Sequence, residues 1–250
     1  MLGQISKGLK LLNSLAFAFA MGLSISVWAE TAENSDPFEG VNRAVFAFNE
    51  QADRFLLKPI AKGYRFITPD PVEDSLGRVF DNVGEVVTIA NDLFQGKFGQ
   101  AANDTGRFLV NTTFGVVGIF DVASTMGLEK NDKEDFGQTL GAWGVESGPY
   151  LMLPLLGPST LRDGPARFVD GYMNPINAVD DVPTRNSIYG TEIIVRRGQL
   201  LKAEELISGD KYAFIRDVYL QRRAFMVNDG DVEDDFGSDE FFDDFEDDYE

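Results

Sequence analysis

PDPVEDSLGRVFDNVGEVVTIANDLFQG, residues 69–96, opens on two prolines and closes on a glycine, the punctuation of one long helix. Between them Val72, Leu76, Val79 and Phe80 fall three and four apart, and Val83, Val86, Val87, Ile89, Ala90, Leu93 and Phe94 continue the series. Such a helix is too apolar for a surface position and is expected to be buried on two sides. Ahead of it, Thr68-Pro69-Asp70-Pro71 forces an extended turn, because each proline disfavours helical backbone in the residue before it.

Working outward, the helical grammar persists. Upstream, Ser35-Asp36-Pro37 precedes a helix-spaced set (Phe38, Val41, Val45, Phe46, Phe48) running to about Leu56, and Pro59 ends that element or opens a second one over 60–67. Downstream, Phe98, Ala101, Ala102, Thr105, Phe108, Leu109 and Thr112 mark one stripe of a helix ending near Gly115. A short apolar run, Phe114 to Phe120, is punctuated by Gly115 and Gly118; Asp121 restarts a helical turn, and 126–134 reads as a polar loop. A helix is expected over 136–143, where glycines recur at 137, 141, 144 and 148, and Gly-Pro pairs bracket Tyr150 to Leu156. A helix over 160–172 and a proline-containing turn region to Pro183 lead to two long helices. In the first, Ile193/Ile194, Leu200/Leu201 and Ile207 recur every seven residues up to Gly209; the second runs from Asp210 as cap to Asn228, with Arg222 and Arg223 suiting the C-terminal end of its dipole. No sustained two-residue alternation occurs, so the fold class is mostly α, a single helical domain without internal repeats.

Composition narrows the chemistry. The 250 residues contain neither cysteine nor histidine, which excludes disulfides, thiol nucleophiles, His-based triads, His or thiolate metal ligands and an acylated cysteine. Net charge is −19, so phosphate backbones find no broad electrostatic hold and nucleic acid is not expected as a partner. Residues 1–29 read as a signal peptide: Lys7 and Lys10, an apolar stretch from Leu11 to Val27, then Val27-Trp28-Ala29 with cleavage after Ala29. An uncleaved anchor is the alternative. Cleavage leaves −21, which anionic lipid headgroups are expected to repel, so membrane contact has to come from apolar burial. Thirteen of the acids lie in 229–250 among Phe236, Phe241, Phe242, Phe245 and Tyr249, a disordered acidic tail that either solubilises or docks by its aromatics. The domain plan is therefore 1–29 signal peptide, 30–228 helical domain, 229–250 tail.

Constellations for catalysis are weak. Gly96-Lys97 resembles the end of a phosphate loop, but Asn91 and Phe98 occupy the positions of its leading Gly and trailing Ser/Thr. Asp229, Asp231, Glu233 and Glu240 approach calcium-loop spacing, yet Asp234 stands where the turn demands Gly. Asp180/Asp181 and Glu204/Glu205 are paired acids, the latter expected on an exposed helix face. No enzyme, cofactor or metal is expected. The informative runs are Phe114 to Phe120 (Phe114, Val116, Val117, Ile119, Phe120) and Tyr150 to Leu156 (Tyr150, Leu151, Met152, Leu153, Leu155, Leu156). Each is either core or an apolar patch that meets lipid.

Several blocks together resemble the MlaA (VacJ) family: SDPFEGVNR at 35–43, Phe48-Asn49, KPIAKGYR at 58–65, NDLFQGK at 91–97, DTGRFLVNTTFG at 104–115, DFGQTLG at 135–141 and GPYLMLPLLGPSTLRD at 148–163. The match is dense from Ser35 to about Gly164 and looser over Tyr212 to Phe225. The resemblance implies a ring-like helical protein in the inner leaflet of the Gram-negative outer membrane, on its periplasmic side, associated with a porin trimer. It also implies an amphipathic channel that passes outer-leaflet phospholipid inward to a periplasmic lipid carrier, maintaining lipid asymmetry without ATP.

By the same resemblance the two apolar runs help bury the ring among acyl chains, and Gly141, Gly144 and Gly148 belong to a flexible hairpin loop near the channel. One departure stands out, since the family is usually tethered by an acylated cysteine and this chain has none, so it is not expected to be a lipoprotein. A periplasmic porin-binding adaptor that moves no lipid is the rival reading.

Overall fold

The computed structural model describes residues 36–204, 207 and 209–230, and every element below lies in the unit Phe38–Glu250. The expected signal peptide with its Ala29 cleavage position, and residues 231–250 of the expected tail, lie outside the described residues.

Helix α1 (Glu39–Ala52) runs through one π-helical turn (Asp53–Leu57) directly into α2 (Lys58–Ile67); Pro59 lacks the N–H that would continue the ladder, and the wider π turn just before it accommodates the break. Thr68 and Pro69 are extended, as the proline pair dictates, and α3 (Asp70–Gln95) follows. Gly96, at φ +77°, closes α3 in the left-handed conformation, and the chain doubles back into α4 (Phe98–Thr113). The short α5 (Val122–Thr125) is capped by Asp121, which accepts from the Ser124 N–H, and α6 (Phe136–Ala142) by Asp135, which accepts from the Gln138 N–H. After a β-hairpin come α7 (Asp163–Met173), a 3-10 turn (Pro175–Ala178), α8 (Val182–Glu204) and α9 (Lys211–Val227); Asp210 caps α9 through the N–H groups of Tyr212 and Ala213. The mostly α reading holds.

Strands are present all the same. β1 (Tyr150–Leu153) pairs antiparallel with β2 (Gly157–Thr160), Tyr150 opposite Thr160 and Leu153 opposite Gly157. Four residues are too few to register as alternation, and a two-stranded hairpin is marginal alone. Here α1 stabilises it: Asn42 donates to the Tyr150 carbonyl (3.0 Å) and accepts from the Met152 N–H (2.8 Å), and Asn49 does the same for Leu153 O (3.0 Å) and Leu155 N–H (2.8 Å). Two asparagines, two helical turns apart, thus act as a third strand along the open edge.

The pleat divides the apolar run Tyr150 to Leu156. Tyr150 and Met152 point inward and, with Tyr212, form the apolar core, flanked by Val45, Phe46, Tyr219 and Leu220. They are therefore core and not lipid-contact residues, a correction imposed by the two-residue period of the strand. Leu151 and Leu153 are half-buried, while Leu155 and Leu156, at the turn, are exposed.

A second correction concerns α3. Its buried face is not the apolar one: Glu73, Gly77, Phe80, Asn82, Glu85, Thr88, Asn91 and Asp92 are buried, while Val72, Leu93 and Phe94 are exposed. The seven-residue repeat in α8 is split: Ile193 and Leu200 are exposed, Ile194 and Leu201 half-buried, and the buried positions are Val195 and Gly198; Ile207 lies beyond the helix. The α3 reading assumes that apolar side chains face inward, and along that helix the polar ones do.

Candidate functional site: a polar interior and an apolar exterior

Among the described residues, buried polar or charged side chains outnumber buried apolar ones, and exposed large apolar side chains far outnumber fully buried ones. A water-soluble core has the opposite balance.

The polar interior begins where α3 lies against α4. Asn82 donates to Thr112 (2.9 Å), and Arg107, fully inside, donates to Ser124 Oγ (3.2 Å) and both oxygens of Asp121 (3.3 Å). Asn111 donates to Asp121 (3.1 Å) and accepts from the Ala123 N–H (2.9 Å). Burial alone raises the Asp121 carboxyl, but these donors, with the Ser124 hydroxyl and N–H, hold it at about 2. One helical turn on, the balance reverses. Burial, reinforced by Asp104, pushes Glu85 up to about 7; burial, Asp104 and Glu134 push Asp92 to about 7.

From Asp92 the network crosses to α6 and α7. Lys97 donates to Glu134 (2.9 Å), Gln95 to Glu134 (2.8 Å) and Thr139 (3.2 Å), Thr139 to Asn91 (2.8 Å), and Asn91 to Asp170 (3.1 Å). Lys97 is thus an internal ion-pair partner, also meeting Asp229, and no phosphate loop exists at Gly96. The chain of polar groups ends at α9, where Arg223 grips Asp135 through two 2.5 Å contacts and approaches Asp163 at 2.9 Å. Arg162 and the Tyr219 hydroxyl donate to the same Asp163, at 2.8 and 3.0 Å. Arg223 therefore neutralises two inward acids instead of serving the dipole of α9.

Glu204, expected on an exposed face, is a third junction. Lys58 and Lys211 donate to it at 3.0 Å and Arg197 closes the set. Burial alone raises this carboxyl, but the hydrogen bonds from Arg197, Lys58 and Lys211 outweigh it and hold the group at about 2. Asp180 and Asp181 are exposed, and among the described residues no cluster of acids is arranged to hold a metal ion.

The exterior carries the apolar surface. Phe114, Val116, Val117 and Phe120 project from a tight turn after α4 and are about half exposed or more; Ile119 is half-buried. Val116 and Val117 sit at φ +54° and +59°, a left-handed conformation that β-branched residues adopt only under strain. Gly118 (φ +95°) ends the turn so close to α3 that a Cβ there would lie 2.6 Å from Asn82 Cβ. An apolar groove of about 710 Å³ lies between α3, the 3-10 turn and α8, lined by Val79, Phe80, Val83, Ile176, Val179 and Ile188.

The three loop glycines separate. Gly141 is inside α6, where a Cβ would come within 2.7 Å of Val227 and 2.8 Å of Arg162, so it serves close packing against α9. Gly144 (φ +85°) has open space around it, and Gly148 (φ +67°) lies against Leu161. Among the described residues no helix is long and apolar enough to cross a membrane.

A family model described as MlaA lipoprotein matches residues 34–226. The chain is 33% identical over 225 residues to the intermembrane phospholipid transport system lipoprotein MlaA of Escherichia coli K12, covering 86% of this chain and 89% of that one. It is 34% identical to the protein of the same name from Haemophilus influenzae, covering 80% and 82%, and 41% identical to an uncharacterized protein of Rickettsia typhi over 56% of each chain. A solved structure described as the structural basis for maintenance of bacterial outer membrane lipid asymmetry superimposes with a TM-score of 0.68 at 34% identity, covering 78% of this chain and all of that one. The first two relatives are named lipoproteins, whereas this sequence has no cysteine to acylate. A family match from before α1 almost to the end of α9, on a superimposable fold, makes the chain a member of the MlaA lipoprotein family.

Proposed function

We propose that this protein is an outer-membrane component of an intermembrane phospholipid transport system that maintains lipid asymmetry. The carrying observation is the inversion: charged and amide side chains inside, phenylalanines, valines and leucines outside. An apolar exterior with no spanning helix among the described residues suits a body seated in one leaflet, on the periplasmic side, with Phe114, Val116, Val117, Phe120, Leu155 and Leu156 among acyl chains. The polar interior suits a ring-like body whose channel carries phospholipid headgroups while their acyl chains stay against apolar surface.

The same reading gives the protein a porin trimer to sit beside and a periplasmic carrier to receive lipid. Gly144 and Gly148, in the left-handed region on the loop after α6, supply the hairpin movement that opens the path. No bond is made or broken, and the acids serve as ion-pair and hydrogen-bond partners. Anchoring without an acylated cysteine rests on the inserted apolar surface, helped by the leader if it stays attached.

The test is complementation. An Escherichia coli strain lacking its relative is supplied with this chain, and phospholipid in the outer leaflet is measured together with lipid extracted from the purified protein. Restored asymmetry and bound phospholipid are expected. Membrane localisation and porin binding without either would favour the adaptor instead.

A further inference from the structure

Between Arg54 and Pro69 the chain has Arg54, Lys58, Lys62 and Arg65 and no acid, in a protein whose net charge is −19. These residues lie on the π-helical turn and α2. Two are committed internally, Lys58 to Glu204 at 3.0 Å and Arg65 to Glu73 at 3.2 Å. Arg54 and Lys62 are exposed and have no ion-pair or hydrogen-bond partner among the described residues; the Arg54 guanidinium only rests 5.6 Å from the Phe55 ring. Both line a cavity of about 520 Å³ with Glu50, Asp53, Lys58 and Glu204. Every acid of that cavity already has a cation: Glu50 has Lys211, Asp53 has Arg197, and Glu204 has Lys58, Lys211 and Arg197. The uncompensated charge is the pair Arg54 and Lys62.

The same segment carries exposed apolar side chains. Phe55 is 74% and Phe66 91% exposed, with Leu56 and Ile67 beside them. Phe55 and Phe66 are eleven residues apart, about three turns, so they share one side of the helix. Cations and exposed aromatics on one helix are the pattern of a segment lying in a membrane interface, and a phosphodiester is the anion that sits beside acyl chains.

We infer that the segment Asp53–Ile67 seats the protein on anionic phospholipid, with Arg54 and Lys62 holding the headgroup phosphate and Phe55 and Phe66 entering the acyl region. The inference rests on the membrane reading above and adds to it a lipid preference opposite to that set by the net charge. Attraction acts within about a Debye length, ~10 Å at 0.1 M salt, so the two nearby cations outweigh acids placed elsewhere on the body.

Flotation of the full chain with vesicles of phosphatidylcholine alone, or mixed with phosphatidylglycerol, tests this. Wild type is expected to bind the mixed vesicles more tightly and to lose that preference in high salt. The R54Q/K62Q variant is expected to bind mixed vesicles roughly 25-fold more weakly, about fivefold per cation, while its binding to phosphatidylcholine and its helical circular dichroism stay unchanged. Arg54→Lys with Lys62→Arg should restore the preference. Wild type binding mixed vesicles no better than neutral ones, or the variant matching wild type, overturns the inference but leaves the membrane reading intact. Preference that appears only when the acids of 231–250 are replaced by amides would give the two cations to the tail and also overturn it. Binding to neither vesicle removes the membrane reading and this one together.

Discussion

Asn42 and Tyr150, 108 residues apart, are joined by a 3.0 Å hydrogen bond from the Asn42 amide to the Tyr150 carbonyl, deep enough that Asn42 is 2% exposed. With the return bond from the Met152 N–H, that one side chain satisfies two backbone groups at the free edge of the hairpin. Leucine has the same bulk but neither function. Asn42→Leu is therefore expected to strand a buried carbonyl and a buried N–H and cost about 2–4 kcal/mol, read as a lower urea midpoint in detergent. Asn49→Leu, at the exposed end of the hairpin, should cost less; equal losses would show that the clamp does not act through burial.

Arg223 supports a different junction. It is the shared cation of Asp135 and Asp163, both held below the usual carboxylate range: burial raises each, and hydrogen bonds and charge from Arg223, with Arg162 at Asp163, more than reverse that. Arg223→Leu leaves two inward carboxylates short of a cation and is expected to destabilise by about 3–5 kcal/mol at pH 7. The sign of the pH dependence follows. A depressed carboxyl contributes stability above its unfolded value, and that contribution is lost as pH falls through the folded one. Wild type should therefore lose more stability than Arg223→Leu on acidification below about pH 4, so the two melting curves converge.

Glu85 and Asp92 have the opposite sign. Burial and neighbouring acids raise both to about 7, so the folded state binds protons that the unfolded state has released between about pH 4 and 7. Stability contributed by these groups falls as pH rises through that window and stays low above it. Glu85→Gln removes one such penalty and is expected to stabilise the protein at pH 8 by about 1–3 kcal/mol and to change little at pH 4. Thermal melts at the two pH values check this; the same shift at both would mean that the gain has nothing to do with titration.

Much of this was legible in the sequence, and each part that was not had its own physical cause. Proline and glycine act locally, so the boundaries at Pro69, Gly96 and Asp210 are set by backbone sterics and caps that need no tertiary context. The period of α3 was equally clear, but not which side of it faces inward. Periodicity identifies a face, and only the surrounding solvent decides whether apolar means buried. Sorting the polar positions of α3 would have shown a second stripe, Glu73, Glu85 and Asp92 with Asn82, Thr88 and Asn91, more continuous than a solvated face requires. The hairpin was hidden for a different reason: the open edge of β1 is bonded by the side chains of Asn42 and Asn49, about a hundred residues away. Arg54 and Lys62 were obscured by the whole-chain charge, which averages a basic segment with an acidic tail.

The turn after α4 offers the sharpest separation of folding from lipid contact. Val116 and Val117 are held at positive φ, where a β-branched side chain costs about 1–2 kcal/mol per residue and glycine costs almost nothing. If the turn served only to connect α4 with α5, glycine would be the better residue at both positions. The double variant Val116→Gly/Val117→Gly relieves about 2–4 kcal/mol of strain and gives back part of it as the extra freedom glycine gives the unfolded chain, so it is expected to raise stability in detergent by roughly 1–2 kcal/mol net. The same variant loses two exposed apolar side chains beside Phe114 and Phe120 and should partition less well into vesicles, at about 1 kcal/mol or more per valine fully buried in lipid. Unfolding and partition should thus move in opposite directions. Gly118→Ala is the control, because its Cβ would meet Asn82 and the Arg78 carbonyl, so it should destabilise the fold without removing apolar surface. A double-glycine variant that partitions as well as wild type would mean that these valines do not touch lipid, and that the strain at 116 and 117 serves some other contact.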